Sequence, residues 1–273
     1  MVEGSTSNNI VRRVRNSVGL IFLSVVLFVL LWEFAASMTE SYVFPNLTEL
    51  GSALLTVARG GGGYDPLVHY SITAQRIAIS FVLALGIGVP LGVFMGLNRR
   101  TESFLSVYVL ILLSFPSIVV AFVGSLWFGL TTYVVPVFVG FVICVPYAII
   151  NAWEGTADLD QETLEMAEAF DAGSSQTWRS IILPYLLPYL FATMRIVLAV
   201  AWKIMLVAEI FGSQSGVGFV VNDMFIGQRN DMIMAWALPM MFGVLVVERG
   251  LKKVEERQFA WRPETATGTE EIV

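Results

Sequence analysis

Long runs of apolar residues alternate with polar segments along the whole chain, and six of these runs are long enough to cross a bilayer. One α-helical span needs about 20 mainly apolar residues. The predicted spans are residues 18–36, 76–97, 104–128, 134–153, 188–211 and 232–247. The pattern therefore predicts an all-α membrane protein with six transmembrane helices.

The segments around these spans carry further signals. Residues 37–74 are polar and interrupted by prolines and glycines, which indicates an extramembrane connection with one short helix. Residues 217–226 are apolar but too short to cross, so we expect a small re-entrant or surface helix there. Pro116 predicts a kink inside the third span. The second span carries glycines at a spacing that favours close helix packing, namely Gly86, Gly88, Gly92 and Gly96.

The composition excludes several classes of protein. Of the 273 residues, 56% are hydrophobic and 14% are charged, which is too apolar for a soluble enzyme, a secreted disulfide scaffold or a disordered chain. The single cysteine, Cys144, allows no intrachain disulfide, and with the single histidine, His69, it makes no plausible zinc or haem cluster. We therefore expect no catalytic residue and no metal ligand, and His69 is interpreted as a loop residue.

The basic residues are distributed unevenly between the two sides of the predicted spans. Of the 16 Lys and Arg residues, eleven fall on the side of the amino terminus, two lie within the fifth span, and three, Arg59, Arg76 and Arg229, fall on the opposite side. Lys and Arg near span ends mark the cytoplasmic side. This predicts a multi-pass cell-membrane protein with both termini in the cytoplasm. The predicted organisation is a cytoplasmic segment at 1–17, a membrane domain at 18–253 and a cytoplasmic acidic tail at 254–273. The first span, longer than a signal-peptide core, is expected to be retained.

The one long predicted cytoplasmic loop, residues 154–187, begins with many acidic residues but also has apolar residues at helical spacing. We expect two short helices, separated at residues 172–174. Asp160 or Thr163 would cap the first and Ser174 or Ser175 the second, while Pro184 and Pro188 would end the loop and begin span five. A solvated acidic loop has no need of these apolar side chains, which favour docking against a basic protein surface.

This loop resembles the EAA loop of permeases from binding-protein-dependent ABC importers. The resemblance rests on Leu164-Glu165-Met166-Ala167, on Ala172-Gly173, and on Ile181-Ile182-Leu183-Pro184. Met166 replaces the first alanine of the family pattern, and Asp171 occupies its glycine position, with Gly173 two residues later. The helix-breaking turn could thus stay at residue 171 or shift to residues 172–174. Over residues 45–261 the chain resembles the sulfonate, nitrate and taurine permeases, with supporting segments at 88–100, 127–129, 183–189, 201–209 and 215–218.

The resemblance implies a type I ABC importer permease fold and a transport function. Such a permease translocates a small solute, here an organic or inorganic anion such as a sulfonate, taurine or nitrate, delivered by an external binding protein. It implies a second permease copy, as a homodimer, and two cytoplasmic ATPase subunits that bind ATP and magnesium. The chain has no phosphate-binding loop of its own and is expected to be neither an enzyme nor a nucleic-acid-binding protein. The alternatives are a permease for a thiamine precursor or another heterocycle, and a non-transporting membrane scaffold or sensor.

Two groups of residues are the functional candidates. The resemblance assigns ATPase coupling to Glu165, Met166, Ala167, Phe170, Asp171, Gly173, Leu183 and Pro184. The translocation pathway is predicted to involve Ser114, Pro116, Ser117, Trp202, Lys203 and Glu209. Arg195, Trp202 and Glu209 recur every seven residues and would share one helix face, with Glu209 ordering an external gate or the binding-protein contact. Lys203 would either pair with an acid of another span, such as Glu33, or face the pore and favour an anion.

Overall fold

The structure, a computed structural model, describes residues 3–40 and 43–258, and every regular element in these two ranges is helical. The predicted acidic tail thus lies mostly outside the described residues. The α-helices are α1 Glu3–Ser37, α2 Leu47–Ala58, α3 Pro66–Leu97, α4 Arg99–Ser114, α5 Ser117–Phe128, α6 Val134–Ala157, α7 Gln161–Ala169, α8 Ser174–Thr177, α9 Leu183–Gly212, α10 Val217–Ile226 and α11 Asn230–Gln258. A π-helical turn, Trp178–Ile182, joins α8 to α9.

The predicted spans are confirmed, with one change of shape. Within residues 3–40 and 43–258, five helical stretches are long and apolar enough to cross a membrane, and α4 with α5 makes a sixth if the two are counted together. Instead of a kink in one helix, these two meet at a bend of 93°. Phe115 before the proline is extended, with φ −71° and ψ 124°, as residues preceding proline prefer, and Pro116 then caps α5. The expectation of a merely kinked third span was wrong.

Two helix starts differ from the sequence-based boundaries. Helix α3 begins at Pro66, ten residues before the predicted span, because the carboxylate of Asp65 accepts the backbone N–H groups of Leu67 and Val68 and proline favours the first turn. The short helix expected between the first two spans is α2, which begins at a capping box between Asn46 and Glu49. Helix α10 has the predicted bounds.

The long loop contains the expected first helix, α7, and Asp160 caps it by accepting the backbone N–H of Glu162 at 3.0 Å. The second half of the loop differs. Gly173, without a side-chain hydrogen bond, precedes α8, so the predicted serine caps were wrong. Neither Pro184 nor Pro188 ends a helix, since the stretch Ser174–Gly212 continues as one span. The wider π-helical turn just before Pro184 accommodates a ring that would clash in a regular α-helix.

Backbone contacts divide the chain into two units, Met1–Gly63 with Asp223–Trp236, and Tyr64–Asn222 with Ala237–Val273. In the first unit, the indole of Trp32 donates to the carbonyl of Pro45 at 3.1 Å, and its ring lies 4.7 Å from that of Phe44. The carboxylate of Glu33 accepts the backbone N–H of Leu47 at 2.9 Å. These contacts connect the end of α1 to the start of α2.

The second unit is built around α3, α6 and α9, which approach one another through small residues. A Cβ added to Gly92 would collide with the carbonyl of Ile149 and with Ala152 on α6, and Gly88 and Gly96 are equally close to that helix. Three of the four glycines of the second span therefore pack helices closely, as predicted. Gly86 has no such neighbour within 4 Å.

Candidate functional site

Helix α7 ends in a tight turn at Asp171, the position where the resembled family has glycine. Asp171 has a φ of 52°, in the left-handed region, and the N–H of Ala172 donates to the carbonyl of Ala167 at 3.0 Å. This is the hydrogen bond of a Schellman turn, with Asp171 in the position that glycine usually takes. Gly173 has an ordinary φ of −62°. The helix-breaking turn has therefore stayed at residue 171.

The predicted coupling residues divide between two faces of this segment. Ala167 is buried, whereas Met166 and Phe170, one helical turn apart, are 55% and 81% exposed. The remaining residues of the group are exposed too, namely Glu165, Asp171, Gly173, Leu183 and Pro184. The segment thus presents an apolar pair beside an acidic side chain, while the small alanine faces the protein.

The residues on either side of α7 and α8 are attached to the membrane helices by apolar and polar contacts. Leu159, Ile182 and Leu186 form a buried cluster with residues of α3 and α6. The hydroxyl of Tyr185 donates to the carbonyl of Asp158 at 2.9 Å, and that of Tyr189 donates to the carboxylate of the same residue at 3.2 Å. These contacts fix the start of the loop to the first turns of α9. We call residues 158–189, which comprise α7, α8, the π-helical turn and the first turns of α9, the loop end of the second unit.

At the opposite end of α9, a buried ion pair joins Glu209 to Arg76 of α3. Both side chains are fully buried. The guanidinium also donates to the carbonyl of Ser215 at 2.9 Å and to the hydroxyls of Ser213 and Ser215 at 2.8 and 2.7 Å. Burying two charges is costly unless each is paired and hydrogen-bonded, and both conditions hold here.

The same group of side chains caps the start of α10. The backbone N–H groups of Gly216, Val217 and Gly218 donate to His69 Nδ1 at 3.0 Å, Thr73 Oγ1 at 2.9 Å and a carboxylate oxygen of Glu209 at 2.8 Å, respectively. The first N–H groups of a helix have no partner within it, so side chains from α3 and α9 supply what α10 itself lacks.

Any residue with a Cβ would be strained at position 216. The φ of Gly216 is +95°, and an added Cβ would overlap the carboxylate of Glu209 and the guanidinium of Arg76. We call the set of Arg76, Glu209, Thr73, His69 and the segment 213–218 the outer clamp.

Sequence reasoning missed the roles of two members of the outer clamp. Arg76 was predicted at the first position of the second span, on the side opposite the amino terminus, and His69 was expected in a loop. Both are buried on α3. The available signal was their spacing: residues 69, 73 and 76 follow an i, i+4, i+7 pattern, which places all three on one helix face. Glu209, predicted to order an external gate or the binding-protein contact, is buried against α3 and the start of α10.

The remaining pathway candidates have different surroundings. Ser114 and Pro116 are exposed at the 93° bend and line a hollow of about 440 Å³, while Ser117 is half-buried. The indole of Trp202 is half-buried and donates to the carbonyl of Met240 at 2.9 Å, so this ring packs on α11.

The charges of the fifth span differ in their partners. Arg195 pairs with Glu255 of α11 at 3.2 Å, so it connects α9 to that helix. Lys203 is exposed, and no acid in the described part of the chain forms an ion pair with it.

Comparison with known proteins identifies what this arrangement resembles. Residues 88–257 match the family described as binding-protein-dependent transport system inner membrane component. The chain is 28% identical over 196 residues to the putative aliphatic sulfonates transport permease protein SsuC of Bacillus subtilis, covering 71% of this chain and 70% of that protein. It is 25% identical over 256 residues to the taurine transport system permease protein TauC of Escherichia coli, covering 93% and 92%. A chain of the inward-facing MetNI methionine ABC transporter matches with a TM-score of 0.62 at 17% identity, covering 76% of this chain and 97% of that one. At that identity the structural likeness concerns the fold alone.

Proposed function

The chain belongs to the family of binding-protein-dependent transport system inner membrane components, and we propose that it is the subunit through which an ATP-driven importer takes up a small anion such as a sulfonate, taurine or nitrate. The observation that carries this proposal is the family match, because residues 88–257 include the whole loop that carries the coupling candidates. In this proposal two copies of the chain form the pore, an external binding protein delivers the anion, and two cytoplasmic ATPase subunits bind ATP and magnesium.

The loop end supplies the contact for the ATPase. Met166 and Phe170 are exposed apolar side chains on successive turns of α7, a pattern typical of a helix that lies in a partner's groove. Glu165 lies beside them and favours a basic rim on that groove. Because the turn at Asp171 and the contacts of Asp158 hold the segment firmly, a push on α7 moves the start of α9 with it. Closure of the ATPase pair on ATP would thus rotate the spans as rigid bodies.

Lys203 supplies the preference for an anion. It lies nine residues before the end of α9, about 14 Å along the helix axis from that end. An ammonium facing hydrocarbon at the centre of a helix costs about 3 kcal/mol, so an exposed lysine here favours a water-filled passage between two copies of the chain. The relatives named for aliphatic sulfonates and taurine support this charge assignment, since both ligands carry a sulfonate.

The decisive experiment is uptake into proteoliposomes that contain the permease, its ATPase and its binding protein. Radiolabelled taurine, ethanesulfonate and nitrate are offered separately, with and without ATP inside. We expect ATP-dependent accumulation of at least one of them. Uptake of a thiamine precursor with none of the three anions would support the heterocycle alternative, and no uptake of any solute would leave the scaffold interpretation.

Two substitutions test the assigned roles. Lys203→Met should raise the KM for the anion about tenfold, equivalent to about 1.4 kcal/mol, with assembly intact. Lys252→Met, which removes an exposed lysine near the end of α11, is the matched control. Equal KM values in the two variants would contradict the role of Lys203.

The coupling role is tested at Phe170. Phe170→Ala should weaken ATPase binding about 30-fold, corresponding to about 2 kcal/mol for a central apolar contact. Phe225→Ala, which removes a phenylalanine that is 68% exposed on α10, is the control and should bind the ATPase normally. Normal ATPase binding by Phe170→Ala would contradict the docking role.

A further inference from the structure

One uninterrupted helical stretch connects the loop end of the second unit to the outer clamp. The stretch Ser174–Gly212 has 39 residues and extends roughly 58 Å at about 1.5 Å per residue. Ile182 and Tyr185 near its start take part in the contacts of the loop end, and Glu209 near its finish is the acid of the outer clamp. The same rigid element is therefore held by specific contacts at both ends.

The contacts at the outer clamp are directional and differ from ordinary helix packing. Dispersion contacts between apolar side chains have no preferred angle, so they specify the relative position of two helices less strictly than hydrogen bonds do. Here the carboxylate of Glu209 is bound by the guanidinium of Arg76, by the hydroxyl of Thr73 at 2.8 Å and by the N–H of Gly218 at 2.8 Å. Displacing the segment 213–218 from α9 would break several buried hydrogen bonds at once, each expensive to leave unmade.

The segment 213–218 and α9 should therefore move together. Thr73 has a central place in this linkage, since its hydroxyl donates to Glu209 of α9 and accepts the N–H of Val217 at the start of α10. Through one oxygen atom, Thr73 connects α3, α9 and α10. The segment itself lies at the end of α9 remote from the loop.

We propose that Arg76, Thr73 and Glu209 are positioning residues that convert displacement of segment 213–218 by an external protein into movement of α9. The inference rests on the proposed function, because it assumes a binding protein on one side and an ATPase on the other. It explains why a buried ion pair is present at the end of a membrane span: because of the pair, a displacement of segment 213–218 is transmitted through α9 to the loop end. Docking of the binding protein then raises ATP hydrolysis through the position of the loop.

The experiment measures ATP hydrolysis by the permease–ATPase complex in lipid nanodiscs, with and without the binding protein. Taurine, ethanesulfonate and nitrate are the probes, added separately, and the one that most stimulates the wild type is used. The readout is the ratio of stimulated to basal hydrolysis, because loss of folded complex lowers both rates together and leaves their ratio unchanged. The variants are Thr73→Val, which removes one hydroxyl at nearly constant volume, and Glu209→Gln, which leaves Arg76 unpaired.

We expect Thr73→Val to reduce the stimulation ratio about fivefold, the equivalent of one lost buried hydrogen bond, and Glu209→Gln to reduce it further. Thr73→Ser keeps the hydroxyl and should restore the ratio. Arg195→Gln is the matched control, because it removes an ion pair from the same helix outside the outer clamp.

The outcomes separate this inference from the proposed function. If none of the three anions raises ATP hydrolysis by the wild-type complex in the presence of the binding protein, both the proposed function and this inference are contradicted. A stimulated wild type with an unchanged ratio in Thr73→Val overturns this inference alone. If the Glu209→Gln complex does not assemble, the stimulation ratios of Thr73→Val and Thr73→Ser are compared instead, and equal ratios overturn this inference.

Discussion

The turn at Asp171 offers a direct test of what closes the carboxyl end of α7. A residue with a Cβ in the left-handed region is strained relative to glycine, by about 1 kcal/mol for aspartate, which tolerates this region better than most residues. A carboxylate at the carboxyl end of a helix adds an unfavourable interaction with the helix dipole of about 0.5 kcal/mol. Asp171→Gly should therefore stabilise the closed turn by about 1.5 kcal/mol.

The two contributions can be separated with a small series of variants. Asp171→Asn removes the charge but keeps the Cβ, so it should recover only the dipole contribution, about 0.5 kcal/mol. Asp171→Ala also removes the charge but loses the polar group that helps aspartate adopt this conformation, so it should gain less than the asparagine variant. Gly173→Ala is the control: its φ of −62° suits any residue, and an added Cβ would have no neighbour within 4 Å.

Hydrogen exchange of the α7 amides in nanodiscs measures the opening of this turn. A gain of about 1.5 kcal/mol slows exchange of the Ala172 amide about tenfold, and the asparagine variant slows it about twofold. The reasoning would be refuted if Asp171→Gly and Asp171→Ala exchanged at the same rate, because the Cβ would then have no part in the strain.

Three further predictions concern contacts elsewhere in the chain. Gly92→Ala should lower the stability of the detergent-solubilised protein by about 2 kcal/mol, since its Cβ overlaps the backbone of α6, whereas Gly86→Ala should leave thermal unfolding unchanged. Trp202→Phe loses the hydrogen bond to the carbonyl of Met240, and exchange of the α11 amides should rise about fivefold; an unchanged rate would contradict the α9–α11 contact. Asn46→Ala removes the capping box of α2 and should cost about 1 kcal/mol, measured as faster exchange in its first turn.

Features that depend on nearby residues were predictable from the sequence. The number of spans, the bounds of α10 and the cap of α7 by Asp160 follow from the length of apolar runs and from the local chemistry of helix ends. These signals lie within one or two helical turns of the residues that they describe. Met166 and Phe170 lie on one face of α7 because they are four residues apart, but that this face is exposed while Ala167 is buried came only from the structure.

The backbone conformation where helices bend or end was only partly predictable from the sequence. Pro116 marked a disturbance, but the angle of 93° depends on how α5 packs against α6 and α9, which the sequence around the proline does not specify. Pro184 and Pro188 were predicted to end the loop and begin span five. Pro184 does lie in the first turn of α9, but a π-helical turn before it lets one helical stretch run from Ser174 to Gly212. At Asp171 the sequence left two positions open for the turn, and the hydrogen bond to Ala167 decided between them.

The sequence by itself determined that this chain is a helical membrane protein with up to six spans and a long helical loop between the fourth and fifth, since hydrophobic length and helical periodicity are local properties. The tertiary structure alone decided that Arg76 and Glu209, 133 positions apart, form a buried pair. A charge in or near a span is costly only if it stays unpaired, and its partner is set by which helix faces meet. Which faces meet depends on the close approach of α3, α6 and α9, to which the whole chain contributes.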